Sequence, residues 1–202
     1  MKRFFTRLGS VFLTLFLVLG LLPMSAFAAE DDVVQLTKPF ENPVGYGSLQ
    51  DAFSAVDRHG TTIKLISNVD FSDEIDIDQY YVTIDLNGYN LTGSGTLKVS
   101  GNGGLTIIET NETKTGKVSC NLSNELKGTY LLLNGGAYSG TITGQVSADE
   151  SSANAKFSTS VYESIESVPL TIAGHELVKN GDWYEFQAIT YTIVLHLNGG
   201  IL

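Results

Sequence analysis

The sequence predicts a mainly β protein, wound as a single-stranded parallel β-helix with one short helix at its N-terminal end. Short alternating strands follow one another from Thr61 onward, separated by Gly, Asn, Ser and Asp. Similar apolar strands begin near Thr62, Val82, Leu105 and Tyr130. Their spacing of about 20 to 25 residues is typical of stacked repeats. The strand rhythm by itself also permits a β-sandwich or a barrel.

The N-terminus has the three parts of a cleavable signal peptide. Its first seven residues contain three basic side chains, and Val11–Leu22 form an apolar segment too short for a comfortable membrane span. The tripeptide Ala26-Phe27-Ala28 then matches the small-residue cleavage pattern. We therefore expect residues 1–28 to be removed and the protein to be exported. The alternative is a retained membrane anchor.

The net charge of the chain narrows the possible partners. The formal net charge is −10, and removal of the three basic residues of the signal peptide leaves −13. A chain this acidic has no basic surface for nucleic acid or anionic lipid, so neither nucleic acid nor membrane is an expected partner after cleavage.

Cys120 is the only cysteine. We expect it to be a small buried residue on a strand.

The one predicted helix begins after an irregular lead-in, residues 29–45. Between Tyr46 and Gly60, apolar residues recur at helical spacing. Ser48 is a suitable N-cap, Asp51 completes a variant of the capping box, and Gly60 is expected to end the helix. This helix would cover the open end of the β-helix, as solenoids require. The apolar stripe consists of Leu49, Ala52, Phe53 and Val56.

The remaining chain is predicted to form strands joined by tight corners. In one of them, Ile84 and Leu86 are expected to point inward, with Asn87-Gly88 turning the corner because both residues tolerate positive φ. Leu91 then fills the next inward position. The predicted strands are Thr61–Ile66, Glu74–Asp78, Tyr81–Leu86, Thr96–Ser100, Leu105–Glu109, Lys117–Cys120, Thr129–Asn134 and Gly140–Gly144.

Three segments resemble the right-handed, pectin-lyase-like parallel β-helix region of secreted surface proteins of Firmicutes. They are GYGSLQDAFSAV (Gly45–Val56), GTTIKLISNVDFSDEIDI (Gly60–Ile77) and VTIDLNGYNLTGSGTLKVSG (Val82–Gly101). Lys156–Ile165 and Gly174–Phe186 are similar to the segment that closes such regions. The resemblance implies a right-handed β-helix domain with its closing segment over residues 46–187, and a place at the cell envelope.

A second resemblance begins near the C-terminus. YTIVLHLNGG, Tyr191–Gly200, looks like the first strand of the Listeria–Bacteroides repeat found in internalin-type surface proteins. Only this strand of the module is present in the sequence. Residues 188–202 are therefore expected to be a partial repeat strand from a truncated module.

Carboxylates are the first candidates for chemistry, because parallel β-helices often carry polysaccharide lyases and hydrolases. Asp73, Glu74, Asp76 and Asp78 are candidate calcium ligands or catalytic groups. The other interpretation is the solvated side of an amphipathic strand whose Ile75 and Ile77 point inward. The run matches no EF-hand or calcium-nonapeptide spacing, so no metal or cofactor is predicted.

Tyrosines are the second candidates, because exposed rings could stack on sugars. Tyr80, Tyr89 and Tyr138 are the candidate ligand-binding residues, with core packing as the alternative. The sequence thus predicts a non-catalytic secreted or cell-surface protein of structural or adhesion type, with the β-helix as stalk or display surface. Cell-wall glycans, host glycans and surface proteins are the expected partners. The alternative is a polysaccharide-active lyase or hydrolase, or a carbohydrate-binding module.

Overall fold

The computed structural model describes residues 31–124, 129–147, 150–164 and 172–189. This part of the chain is mainly β, as predicted, and none of its helices has the length and apolar character needed to cross a bilayer. A 3₁₀ helix spans Glu150–Asn154. The other elements are β1 (Val34–Thr37), β2 (Val44–Tyr46), α1 (Leu49–Ser54), β3 (Thr61–Leu65), β4 (Val69–Asp70), β5 (Glu74–Ile77), β6 (Tyr81–Asp85), β7 (Leu91–Thr92), β8 (Thr96–Val99), β9 (Gly104–Ile108), β10 (Lys117–Val118), β11 (Asn121–Asn124), β12 (Tyr130–Asn134), β13 (Ala137–Tyr138), β14 (Ile142–Gly144), β15 (Lys156–Ser158), α2 (Thr159–Ser164), β16 (His175–Asn180) and β17 (Trp183–Ala188).

The strands form a β-solenoid of about four turns with three sheets. Sheet A has the order β2-β1-β3-β6-β9-β12, sheet B the order β4-β7-β10-β13-β15-β17-β16, and sheet C the order β5-β8-β11-β14. Each turn passes through sheets A, B and C in that order, so β3-β4-β5 is the first turn and β12-β13-β14 the fourth. The pairing between turns is parallel in all three sheets, which excludes the antiparallel sandwich.

Each sheet contributes a column of inward apolar side chains, because strand residues two apart share a face. The members of a column are register partners in successive turns, and all are buried. The columns lie side by side, so the core runs along the solenoid axis. They are Ile63, Ile84, Ile107 and Leu133 in sheet A, Val69, Leu91, Val118, Tyr138 and Phe157 in sheet B, and Ile75, Leu97, Leu122 and Ile142 in sheet C.

The interpretation of residues 29–45 as an irregular lead-in is wrong. These residues contain β1 and the start of β2, which form an antiparallel pair, and β1 pairs antiparallel with β3. Val34 and Leu36 are buried and extend the hydrophobic core beyond β3, on the N-terminal side of the first turn. The two prolines fall in the hairpin turn, where a missing N–H costs no sheet hydrogen bond.

Helix α1 is present with the predicted cap but is shorter than predicted. The Ser48 hydroxyl accepts a hydrogen bond from the Asp51 N–H at 3.0 Å and donates one to the Asp51 carboxylate at 2.7 Å. Leu49 and Ala52 are buried against the N-terminal end of the core. The helix ends at Ser54, before the predicted stop, and Gly60 with φ +75° lies in the turn into β3.

Two ion pairs fasten the hairpin turn between β1 and β2 to the segment after α1. Lys38 Nζ lies 3.0 Å from Asp57 Oδ2, and Arg58 Nη1 lies 3.0 Å from Glu41 Oε1. Hydrogen bonds from Arg58 and then Lys38 lower the pKa of Asp57 to about 2. The N-terminal hairpin and α1 together cover the first turn.

The corner between sheets A and B is built as predicted around Asn87-Gly88. Their φ values are 48° and 78°, in the left-handed region that these two residue types tolerate. Asn87 Nδ2 donates to the Leu65 carbonyl of the previous turn at 3.0 Å. The buried Asp85 carboxylate accepts from the Asn87 N–H at 3.0 Å and from the Thr110 hydroxyl at 2.7 Å. Side-chain hydrogen bonds thus join three successive turns at this corner.

Glu109 holds the longest described corner, the loop from Thr110 to Gly116 in the third turn. Its carboxylate accepts from the N–H groups of Gly88 at 2.9 Å, Asn111 at 2.7 Å and Gly116 at 2.6 Å. A carboxylate with three N–H donors is a strong charge-assisted site. The loop that interrupts the repeat is therefore tied to the second turn.

The C-terminal end of the solenoid is closed by aromatic packing. Strand β15 extends sheet B in parallel, and the antiparallel pair β17-β16 completes that sheet. The Phe157 ring stacks on Tyr138 at 5.5 Å and meets Phe186 edge-on at 6.5 Å. The predicted signal peptide, residues 1–28, and the predicted repeat strand, Tyr191–Gly200, lie outside the described residues.

Candidate functional site

The four predicted acidic candidates lie on the solvent side of strand β5 and at its two ends. Asp73, Glu74, Asp76 and Asp78 are exposed, whereas the isoleucines between the last three are buried. Glu74 pairs with Lys98 at 3.3 Å, and Asp76 accepts a hydrogen bond from the Ser100 hydroxyl at 2.5 Å. In the described ranges, no group of three or more His, Cys, Asp or Glu is arranged to hold a metal ion. This arrangement is that of an amphipathic strand.

Of the two interpretations of Tyr138, ligand binding and core packing, the structure supports core packing. Its ring is fully buried, and its hydroxyl donates to the Gly135 carbonyl at 2.8 Å. Burial raises the pKa of this hydroxyl well above its ordinary value. The residue before it, Ala137, is also buried, so the two-residue strand β13 does not alternate. Tyr80 and Tyr89 are partly buried and pack against the core.

Among the described strand residues of the solenoid, the exposed tyrosines are instead Tyr81 and Tyr130, which were considered with the other strand tyrosines but not selected as ligand-binding candidates. They begin β6 and β12 and are 50% and 36% exposed. Alternation could have found them, because each immediately precedes an inward residue, Val82 or Leu131. Both pair in register with Gly104 of the intervening strand, so they lie in one row on the outward face of sheet A.

A row of threonines runs beside this aromatic row. Thr37, Thr62, Thr83 and Thr106 are register partners on β1, β3, β6 and β9, and all are half-buried. Such a ladder presents one hydroxyl per strand at the inter-strand spacing of about 4.8 Å. On β12 the residue in register with Thr106 is Leu132, so the row of threonines ends at Thr106. We call the exposed tyrosines and this ladder the outward Tyr–Thr face.

A separate cleft of about 510 Å³ lies at the corner between sheets A and B. Gly135 and Gly136 form a side-chain-free part of its wall, between the Thr110–Gly116 loop and strand β17. Three of its four charged side chains are engaged, since Glu109 binds three N–H groups and Lys156 pairs with Glu185 at 3.1 Å, whereas Glu112 is exposed. Apart from the Glu112 carboxylate, the cleft therefore offers mostly neutral polar groups.

Cys120 is buried, as predicted, but it lies at the bend between β10 and β11 rather than on a strand. Burial raises the pKa of its thiol to about 12. The neutral thiol is therefore the form present at physiological pH, which makes this residue a packing group rather than a nucleophile.

No protein-family model, no curated protein and no solved structure matches this chain. The outward faces and the corner cleft are therefore interpreted from their own residues.

Proposed function

We propose that this chain is a non-catalytic secreted or cell-surface protein of structural or adhesion type, whose β-solenoid is a stalk or display surface. The observation that carries the proposal is the unbroken parallel pairing of the four turns in all three sheets. In a solenoid each turn contacts its neighbours, so such a stack keeps regular rows of side chains in fixed positions along its length. Regular outward rows suit display.

The bonding of the carboxylates supports a non-catalytic role. A general acid or base must reach the proton that it transfers. Asp85 and Glu109 are instead bound to backbone N–H groups and to Thr110 of the corner. Glu74 and Asp76 are bound to side chains of the next strand in sheet C.

Export is proposed from the N-terminal sequence. A basic region, an apolar segment and an Ala-Phe-Ala cleavage pattern occur in that order in residues 1–28. The acidic charge of the remaining chain suits a solvated surface outside the cell. The proposed surroundings are therefore the cell envelope and the medium.

Fractionation with intact mass measurement tests this location. The native protein would be isolated separately from the culture medium, from cytosol and from wall fragments released by muramidase. We expect a chain beginning at Ala29 in the medium or the wall fraction. A cytosolic protein that retains residues 1–28 would contradict the proposal.

Polysaccharide turnover tests the non-catalytic claim. Purified chain would be incubated with pectate, xylan and cell-wall glycan, and both viscosity and unsaturated sugar ends would be measured. We expect no change in either quantity. Turnover that disappears in Asp76→Asn would establish the enzyme instead, with the exposed β5 carboxylates as its acid–base groups.

A further inference from the structure

We propose that the N-terminal end of the solenoid is a self-association surface, where the Phe40 ring of one copy of the chain enters a pocket beside α1 of a second copy. We call Lys38–Glu41 the Phe40 turn and the pocket the α1 pocket. The turn is paired with residues just after α1, and α1 lines the pocket, so both lie at the same end of the molecule. Two copies related by a two-fold axis can therefore exchange rings. Self-association is independent of the proposed display function.

The Phe40 turn has a backbone conformation that is unfavourable for phenylalanine. The Glu41 N–H donates to the Lys38 carbonyl at 3.0 Å, which closes a turn with Pro39 and Phe40 at its centre. Phe40 has a φ of 66°, in the left-handed region. This position of such a turn favours glycine or asparagine, because the Cβ of other residues is strained there. Local turn stability therefore does not explain the phenylalanine.

Phe40 is also the most exposed large apolar side chain in the described part of the chain. Its relative exposure is 108%, and the next value is 52% for Val44. In the isolated chain, burial of the ring therefore offsets none of the backbone strain. Backbone strain is concentrated at functional positions, and aromatic residues are enriched in the cores of protein interfaces. A strained and fully exposed aromatic residue thus indicates a binding contact.

Two ion pairs tether the Phe40 turn to the segment after α1. Lys38 Nζ lies 3.0 Å from Asp57 Oδ2, and Glu41 Oε1 lies 3.0 Å from Arg58 Nη1. The two ends of the turn are therefore both attached to the body of the protein. A side chain on a base that is already ordered loses less conformational entropy on binding. The tether thus suits a ring that anchors an interface.

The α1 pocket has the size of one phenyl ring. Its volume is about 150 Å³. An apolar cavity of about 150 Å³ in another protein binds benzene, so a phenylalanine ring fits such a space. The exposed residues of the lining are polar, whereas the buried and half-buried ones are apolar or aromatic, as in an interface with a polar rim. The apolar and aromatic residues are Phe53, Val56, Ile77, Tyr80 and Val82.

The charges beside the turn and the pocket are complementary, which favours a second copy as the occupant. Arg58 is half exposed beside the Phe40 turn and keeps N–H donors beyond those bonded to Asp57 and Glu41. Asp78 lines the α1 pocket, is exposed, and makes no side-chain hydrogen bond or ion pair in the described residues. Entry of the ring would bring Arg58 and Asp78 of the two copies together. One chain thus supplies both halves of the contact.

Sedimentation velocity of the full chain as isolated tests the proposal, at concentrations from about 1 µM to about 1 mM and at about 0.15 M salt. We expect a monomer–dimer equilibrium. Phe40→Gly should weaken dimerisation by at least about tenfold, as for loss of a buried aromatic anchor. The melting temperature of the dilute monomer should be unchanged or raised by this substitution, because the strained Cβ is removed and no buried contact is lost.

A matched pair of charge reversals tests the pocket side of the contact. Asp78 and Asp73 are both exposed and lie just beyond the two ends of β5, but only Asp78 lines the α1 pocket. Asp78→Lys and Asp73→Lys change the net charge equally. Dimerisation should therefore be weaker in Asp78→Lys than in Asp73→Lys.

Photo-cross-linking locates the position of the ring. p-Benzoylphenylalanine would replace Phe40, and isotopically light and heavy chains would be mixed before irradiation. We expect light–heavy cross-links from position 40 to residues 53–56 or 76–82.

The proposal is overturned if the chain stays monomeric over the whole concentration range, or if Phe40→Gly dimerises as tightly as the parent chain. Cross-links that map to another surface, or equal dimerisation of the two lysine variants, would overturn the assignment of the α1 pocket. A lower melting temperature of the dilute Phe40→Gly monomer would mean that the ring supports the fold, which would also contradict the proposal.

Discussion

The two faces of sheet A differ in what their side chains contact. On the inward face, Ile84 lies between Ile63 and Ile107 and is fully buried. On the outward face, the adjacent Thr83 lies between threonines of the neighbouring turns, and its hydroxyl makes no hydrogen bond to another residue in the described part of the chain. The same strand thus stabilises the stack with one set of residues and presents groups to solvent with the other. The packing of the core and the composition of the exposed surface can therefore be changed separately.

The largest expected effect concerns the buried Cys120. Its thiol should react far more slowly in the native chain than in the unfolded chain. The buried thiol has a pKa of about 12, compared with 9.0 for a free thiol. At pH 8 the thiolate fraction is therefore about a thousandfold lower in the native chain than in the unfolded chain. Labelling with a disulfide reagent should be very slow until denaturant is added. Rapid labelling of the native chain would show that Cys120 is not buried.

Ile84→Ala should cause the largest loss of stability among the substitutions on sheet A. It leaves a cavity between two stacked isoleucines, and comparable substitutions cost about 2–5 kcal/mol. Thr83→Val is the matched outward control, and a surface change of this kind is usually within about 0.5 kcal/mol. Urea unfolding of both variants measures the difference. Equal losses would mean that the two faces are not distinguished by burial.

Glu109→Gln tests whether the corner loop depends on its carboxylate. Glutamine has one amide oxygen in place of two carboxylate oxygens, so at least one of the three N–H groups loses its partner. Leaving such a group unsatisfied costs about 1–3 kcal/mol in the free energy of unfolding. Glu112→Gln, in the same loop but exposed, is the control and should be nearly neutral. A neutral Glu109→Gln would show that the loop is held by other contacts.

Ser48→Ala should have the smallest effect of this series. It removes the hydroxyl that caps α1, which typically costs about 1 kcal/mol. The loss should appear in thermal unfolding and in faster amide exchange at Asp51. Unchanged exchange at that amide would contradict the cap.

The sequence predicted most of the inward face, because alternation of apolar residues is a local property. Ile84, Leu86 and Leu91 are all buried, and Asn87-Gly88 turns the corner. Strands of two residues, such as β4, β7 and β13, were missed because they are too short to alternate. For the same reason, the sequence left Tyr138 open between ligand binding and core packing.

The outward face was harder to predict because it depends on register between distant residues. Tyr81 and Tyr130 are far apart in the sequence and share a row only because Gly104 pairs with both. The loop at Thr110–Gly116 makes the repeat irregular, so no fixed period aligns these positions. Similarly, the pairing of β1 with β3 could not be predicted locally, because the hairpin strand β2 and α1 lie between them in the sequence.

Disulfide trapping of the register tests the central claim most directly. In a Cys120→Ala background, Thr83→Cys/Thr106→Cys places two thiols on register partners, about 4.8 Å apart at Cα. Thr83→Cys/Ile108→Cys places them on a diagonal of about 8 Å, beyond the reach of a disulfide. Mild oxidation followed by intact mass should show an intramolecular disulfide in the first variant and free thiols in the second. Cross-linking of the diagonal pair, with free thiols in the register pair, would contradict both the solenoid register and the Tyr–Thr face.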